Sequence, residues 1–215
     1  MVVELIAGFT RCTVVSPYAN ANTVLALNLA LHLGSEGFRT QLCVEAPLAT
    51  SIARGLAEVV RGEVLGYISL GCGAGDFDAK VYVAEECGAV DWSGRVYAFL
   101  LSGRGLSRVR IPDVVVLRVR RVGANTYSIS VENSVHLFKL DGFKVVEVPI
   151  PEEALLVYRL VKEAVEMFGS PRASEVVKML RARHGFARER ALEAVRKAVA
   201  VGLVKYDGKY LTPLF

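Results

Sequence analysis

The stretch that decides the fold is "TVVSPYANANTVLALNLALHLGSEGFRTQLCVEAP", residues 13–47. It begins with β-branched residues, which favour a strand. It continues with leucines spaced four residues apart, which is typical of one face of a helix. The run "RTQLCVEA" then predicts a second short strand. A strand, a helix and a strand in this order are typical of a parallel α/β sheet.

Polar residues and glycines mark the two ends of the predicted helix. Asn22 or Thr23 can serve as its N-cap, because a short polar side chain accepts a hydrogen bond from the free N–H groups of the first turn. Gly34 and Gly37 are expected to end it, because glycine adopts the backbone conformation that follows a helix C-terminus.

The rest of residues 1–150 consists of short apolar runs separated by turns. The N-terminal run "VVELIAGF" predicts a strand, and "LATSIARGLAEVVRG" and "NSVHLFKLDG" predict helices that end at glycines. "CGAGDFD" is expected to be a loop. Further strands are predicted from the runs "VLGYISLG", "AKVYVAEE", "RVYAFLLSG", "DVVVLRVRRV", "TYSISVE" and "FKVVEVPIP". We therefore expect a mostly parallel, Rossmann-like sheet with flanking helices.

The pattern changes after this region, where apolar residues recur at helical spacing. "PEEALLVYRLVKEAVEMFG" predicts a helix that starts at Pro151. "SPRASEVVKMLRARHG" predicts a second helix, capped by Ser170 with Pro171 at its first position. "ARERALEAVRKAVAVGL" predicts a third. Residues 151–215 are therefore expected to form a second, small domain.

The last run, "VKYDGKYLTPL", alternates around Asp207 and Gly208, a dipeptide typical of hairpin turns. Three helices followed by a hairpin resemble the winged helix-turn-helix domains of archaeal and bacterial transcription regulators. The resemblance covers about 60 residues. It implies that the third helix lies in the major groove of DNA, with the hairpin as the wing.

Charge supports the same expectation. Residues 1–150 hold 14 Lys and Arg against 14 Asp and Glu, whereas residues 151–215 hold 12 against 8. The positive excess lies in the segment that resembles a DNA-binding domain, and double-stranded DNA is therefore the expected partner. The residues expected to contact bases or phosphates are Arg181, Arg183, Arg188, Arg190, Arg196, Lys197, Lys205 and Lys209.

Two alternatives stay open for these cations. Glu189 and Glu193 alternate with the arginines of the third helix and can pair with them at i+4 spacing, which would neutralise them. Winged helices also serve as dimerisation or protein-docking modules, so that a protein partner could take the place of DNA.

The first half resembles a second family. Asn28, Leu29 and Ala30 at the centre of the predicted helix, the Gly37-Phe38 turn and the strand "QLCVEAP" resemble the start of the ParA/MinD family of P-loop ATPases. The close match covers about 35 residues. It implies a phosphate-binding loop between the first strand and the helix, followed by a catalytic Asp at the end of a later strand.

The chain departs from that family at the positions that carry its chemistry. Pro17 and Asn22 stand where the two lysines belong, and Ala84-Glu85 stands where the catalytic Asp belongs. Glycines of the loop are replaced by Tyr18, Ala19 and Ala21. A phosphate cradle needs converging N–H groups and a cation, and proline lacks the N–H altogether.

What remains of the loop is polar but uncharged. Asn20, Asn22 and Thr23 could hold a ligand weakly at the helix N-terminus, or could do no more than shape the turn. The sequence therefore predicts no ATPase activity and no cofactor.

The predicted function is that of a non-enzymatic DNA-binding protein, either a transcription regulator or a segregation or chromatin-associated factor. The degenerate ATPase-like domain would serve for homodimerisation or partner docking. One alternative is a ligand-sensing regulator, because the layout is similar to CRISPR-associated regulators that join a CARF domain to a winged helix. A ParA-like ATPase with an atypical loop is the other.

Composition limits the remaining possibilities. Hydrophobic residues make up 53% of the chain, enough for a sizeable core. No apolar run is long enough to span a membrane and no signal peptide is apparent, so we expect a cytoplasmic protein, located on the nucleoid if it binds DNA. The four cysteines lack zinc-site spacing and are expected to be buried as small apolar residues: Cys12, Cys43, Cys72 and Cys87.

Overall fold

The structure is a computed structural model that describes residues 2–45, 55, 66–85, 87, 90–102, 113–131 and 134–214. The helix predicted over residues 48–62 lies outside this part, apart from residue 55. The chain divides into two compact units, each described below by itself. The first comprises Met1–Arg121 and Asn125–Glu147, and the second comprises Val122–Ala124 and Val148–Phe215.

A sheet of nine strands forms the centre of the first unit. The strands are β1 Arg11–Val15, β2 Thr40–Val44, β3 Ile68–Leu70, β4 Ala79–Ala84, β5 Arg95–Leu100, β6 Val115–Gly123, β7 Thr126–Val131, β8 Ser134–Asp141 and β9 Lys144–Val148. Their order across the sheet is β3-β2-β4-β5-β1-β6-β7-β8-β9. Neighbours from β3 through to β6 pair in parallel, and β7 pairs with β8 antiparallel. The mostly parallel α/β sheet with flanking helices is confirmed.

Two helices of the first unit, α1 Val2–Ala7 and α2 Ala19–Ser35, pack into the apolar core on one face of this sheet. Side chains from both helices meet side chains such as Val14, Phe99 and Leu117 from the strands, all nearly inaccessible to solvent. Burial of this apolar surface is the main force that holds α2 on the sheet. Among the described helices, none is both long and apolar enough to cross a bilayer.

The strand predicted at the N-terminus is wrong, because residues 2–7 form α1. Val2, Val3 and Ile6 are its buried residues, and this spacing places them on one side of a helix. Their β-branched side chains favour a strand locally, but packing against α2 overrides that preference.

The short helix predicted for "NSVHLFKLDG" is also wrong, because this run forms β8. It pairs with β7 in a register that places Phe138 opposite Tyr127, with ring centroids 5.6 Å apart. Both faces of β8 are partly covered, since Leu137 and Phe138 are buried although they point to opposite sides. Burial on both faces hides the alternation that marks a strand.

The glycine-rich run at residues 71–78 is a loop, as predicted, and defined contacts hold it. Arg39 pairs with Asp76 at 3.1 Å and with Asp78 at 3.5 Å. The amide of Gln41 donates to the carbonyl of Gly73 at 2.6 Å. These contacts tie the loop to the first residues of β2 and give its carboxylates a structural role.

The second unit consists of three helices and a hairpin, in the predicted order. The elements are α3 Glu152–Phe168, α4 Ala173–His184, α5 Arg188–Ala200, β10 Val204–Tyr206 and β11 Leu211–Pro213. The two strands pair antiparallel around Asp207 and Gly208, which confirms the hairpin. α3 and α5 contact each other through buried small residues, including Ala154, Ala191 and Ala194.

The start of α4 differs from the prediction. Ser170 does not cap the helix, which begins at Ala173, and the N–H of Arg172 donates to the carboxylate of Glu175 at 2.8 Å. The carbonyl of Pro171 accepts a hydrogen bond from the N–H of Leu211 at 2.8 Å. The chain is therefore extended beside the hairpin here, and this delays the helix.

The cysteines are only partly as expected. Cys12 and Cys87 are buried free thiols, and burial raises the pKa of Cys12 to about 12. Cys43 and Cys72 instead form a disulfide with Cα atoms 4.8 Å apart. The sequence expectation failed for this pair because the parallel pairing of β2 with β3 brings the two thiols together.

The disulfide closes a loop across a sequence separation of 29. We predict that reduction lowers the free energy of unfolding by about 3.6 kcal/mol, through the entropy regained by the unfolded chain. Denaturant unfolding with and without reductant measures the change. The double variant Cys43→Ser/Cys72→Ser is the control and should not respond to reductant; a count of four free thiols in the untreated protein would contradict the pairing.

Candidate nucleic-acid interface

The loop between β1 and α2, where a P-loop protein binds phosphate, is a closed turn. The N–H of Ser16 donates to the carbonyl of Leu100 at 3.0 Å, and the hydroxyl of Ser16 accepts from the N–H of Tyr18 at 3.1 Å. The side-chain amide of Asn22 donates to the carbonyl of Ser16 at 3.2 Å. The turn therefore engages several of its own polar groups, although the side-chain oxygen Oδ1 of Asn22 is buried without a hydrogen-bond partner in the described part of the chain.

This turn places α2 earlier than predicted. Tyr18 is the N-cap residue and makes no side-chain capping bond, so neither Asn22 nor Thr23 caps the helix. Both lie inside its first turns and are buried, with exposed fractions of 0% and 2%. Of the three polar residues considered as ligand contacts, Asn20 alone is exposed. The cap prediction failed because Ser16 fixes the turn before the helix begins.

An aromatic ring completes the closure. Tyr18 packs edge-on against Tyr127 of β7, with ring centroids 5.6 Å apart. Of the two residues that the ParA/MinD resemblance places at a catalytic Asp, Ala84 is buried in an apolar cluster with Cys43 and Leu100, and Glu85 is exposed. Among the described residues, no group of three His, Cys, Asp or Glu side chains is placed to hold a metal.

We predict that Asn22→Asp destabilises the protein by about 3 kcal/mol at neutral pH, because a buried carboxylate would face the carbonyl of Ser16. Asn20→Asp is the matched control, since that side chain is exposed in the same helix turn and an acidic residue there is tolerated. Denaturant unfolding of both variants measures the difference. Equal stability of the two variants would show that the turn is more open than described.

The second unit brings together the eight cations expected from the sequence, but three of them are already paired. The carboxylate of Glu153, in the first turn of α3, contacts Arg190 Nε at 2.8 Å and Lys197 Nζ at 3.3 Å. Lys197 also contacts Glu193 at 3.1 Å, a pairing at i+4 that involves a lysine where the sequence predicts an arginine. Arg183 of α4 pairs with Glu163 of α3 at 2.8 Å.

These pairs have a structural role. The guanidinium of Arg190 also lies over the ring of Phe186, 4.4 Å from its centroid. The side chains of Arg190 and Lys197 therefore fasten α5 to α3, and Arg183 fastens α4 to α3. Pairing lowers the pKa of Glu153, first through the hydrogen bond from Arg190 and then through that from Lys197.

The other five cations keep their charge available. Arg181, Arg188, Arg196 and Lys205 are exposed, and none makes an ion pair with the described part of the chain. Lys209 is exposed on the hairpin, with its ammonium 4.9 Å from the ring centroid of Tyr210. The free cations lie at the end of α4, along α5 and on the hairpin.

The hairpin that carries two of them has a defined tip. One carboxylate oxygen of Asp207 accepts hydrogen bonds from the N–H groups of Tyr210 at 2.7 Å and Lys209 at 2.9 Å. These bonds lower the pKa of Asp207. The ionised carboxylate of Asp207 therefore stabilises the turn that carries Lys209 at neutral pH.

Glu153 is the organising residue that the sequence reasoning missed. The sequence marks Glu153 only as an acidic residue in the first turn of a helix. Its neighbour Glu152 has the same feature. What distinguishes the two is which side of α3 faces α5, and that depends on the packing of three helices.

No protein-family model matches the chain, and no curated protein matches it as a relative.

We predict a pH-dependent loss of stability in Glu153→Gln. The pKa of Glu153 is lowered from its ordinary value of 4.5 in the folded protein, so its stabilisation is present above that value and disappears as the pH falls through the lowered pKa. Glu153→Gln should be less stable than the wild type at pH 7, and the gap should close in acid. Glu152→Gln, which makes the same charge change one residue away, is the control. Unfolding curves for both variants at neutral and acid pH check this, and a gap that does not change with pH would contradict it.

Proposed function

We propose that the protein binds double-stranded DNA through its second unit, which we infer to be a winged helix-turn-helix domain. In this proposal α5 enters the major groove and the hairpin contacts the flanking backbone. The α/β unit performs no reaction and serves for self-association or the docking of a partner. The observation that carries the proposal is the set of unpaired cations on α4, α5 and the hairpin.

The connection between the helices and the hairpin supports the assignment. Arg172 forms an isolated antiparallel bridge with Tyr210, directly before α4. The segment between α3 and α4 thus lies beside the outer strand of the hairpin. This fixes the hairpin against the start of α4 and holds Lys205 and Lys209 on a stable support.

The distribution of ion pairs supports it as well. Two of the acidic residues that neutralise cations, Glu153 and Glu163, belong to α3, and the third, Glu193, makes its ion pair within α5 itself. Arg188 and Arg196 on α5 stay free because no described acidic side chain reaches them. Free, exposed guanidinium groups on a helix contact phosphates and guanine edges.

A salt titration separates this function from nonspecific charge effects. We expect the double variant Arg188→Ala/Arg196→Ala to bind duplex DNA more weakly and to reduce the slope of log K against log salt by about 1.8, because each lost phosphate contact removes about 0.9. Fluorescence anisotropy of the full-length protein with a labelled duplex at several salt concentrations gives the slope.

The matched control is Arg183→Ala/Lys197→Ala, which removes two charges from the same unit. Because those side chains are engaged with Glu163 and with Glu153 and Glu193, the slope should stay close to that of the wild type. Equal slopes for the two double variants would point to net charge alone, and an absence of salt-dependent binding by the wild type would refute the proposal.

A further inference from the structure

The surface of α5 has three sides with different contacts, and one of these sides is open to a ligand. Its buried side consists of small residues that face α3 and α4: Ala191, Ala194, Val195 and Ala198. A second side carries Arg190 and Lys197, which are held by Glu153. The remaining side is the one that a partner could reach.

On this open side, Arg188, Leu192 and Arg196 follow one another at intervals of four residues. Such residues are neighbours along a helix face, with Cβ atoms about 5–6 Å apart. The three positions span about 12 Å along the helix axis, at 1.5 Å per residue. Leu192 is 39% exposed, and it is therefore an apolar side chain placed between two unpaired guanidinium groups.

This arrangement selects one kind of partner. The flanking positive charges match the phosphates on either side of a groove, so the occupant must be a polyanion. Placing an apolar side chain against the polar base edges of the major groove is unfavourable, because those edges lose their hydrogen bonds to water. The exception is thymine, whose C5-methyl group is the apolar feature of the major groove.

We propose that Leu192 is a specificity-determining residue that reads the thymine methyl group, while Arg188 and Arg196 hold the adjacent phosphates or guanine edges. This inference rests on the proposed DNA-binding function and adds to it a preferred base. The protein should prefer thymine where the middle of α5 meets the groove.

The acidic neighbours on α5 are compatible with this assignment. Glu193 is engaged with Lys197 and does not act as a free charge. Glu189 is exposed and lies one turn before Leu192 and Glu193. A free carboxylate near the groove repels phosphate but accepts a hydrogen bond from the amino group of cytosine. Its presence therefore penalises nonspecific backbone contact and leaves base contacts available.

The test uses two duplexes that differ only in the methyl group. Both have the same AT-rich sequence, and one contains thymine where the other contains uracil throughout. The full-length protein should bind the thymine duplex about threefold to fourfold more tightly, the ratio expected for burying one methyl-sized group. Leu192→Ala should bind both duplexes equally.

Two further variants make the test specific. Leu192→Met keeps an apolar side chain at this position and should retain the preference for thymine. Met167→Ala removes an apolar side chain of α3 that is 50% exposed, outside the α5 surface, and should retain it too. Circular dichroism confirms that each variant keeps its helices.

The outcomes distinguish this inference from the function on which it rests. If the wild type binds both duplexes with equal affinity, or if Leu192→Ala keeps the preference, the methyl contact is refuted and DNA binding stands. If the wild type binds neither duplex, the proposed function itself fails.

Discussion

The carboxylate of Glu153 controls which part of the second unit can face a partner. By contacting Arg190 and Lys197 together, it fastens α5 to α3 and removes two cations from the surface. Because these contacts lie on one side of α5, the opposite side keeps Arg188 and Arg196 free. The ion pairs of Glu153 thus add to the packing of small residues between α3 and α5, and they leave Arg188 and Arg196 as the unpaired cations on the open side.

In the first unit, side chains likewise make contacts at the turn between β1 and α2. The side-chain amide of Asn22 donates to the carbonyl of Ser16 across the turn, and Tyr18 covers the turn by packing on Tyr127. The turn joins a parallel strand to a long helix, and Asn22 and Thr23 point into the protein while Asn20 is exposed. The turn of the first unit thus buries Asn22 and Thr23, whereas the second unit leaves five of its cations facing the solvent.

Much of this architecture could be predicted from the sequence, because local patterns decide it. The alternation around Asp207 and Gly208 predicted the hairpin, and the run before α2 predicted the first parallel strand. Prediction failed where packing overrides local preference. Residues 2–7 form a helix despite their β-branched side chains. β8 does not show the alternation of apolar and polar residues that marks a strand, because Leu137 and Phe138 are both buried.

The sequence predicts which residues belong to the candidate site, but it does not predict how their side chains are paired. All eight cations could be named from the sequence, but their division into paired and free depends on which helix faces meet. The disulfide between Cys43 and Cys72 was missed for the same reason, since only the sheet order places the two thiols side by side.

Amide hydrogen exchange of the full-length protein, measured with and without duplex DNA, tests the account most directly. DNA should slow exchange in residues 188–196 and 204–211, while the turn at residues 16–23 should exchange at the same rate in both states and on addition of ATP with magnesium. Protection of residues 16–23 by either ligand, with no change in α5 or the hairpin, would contradict it.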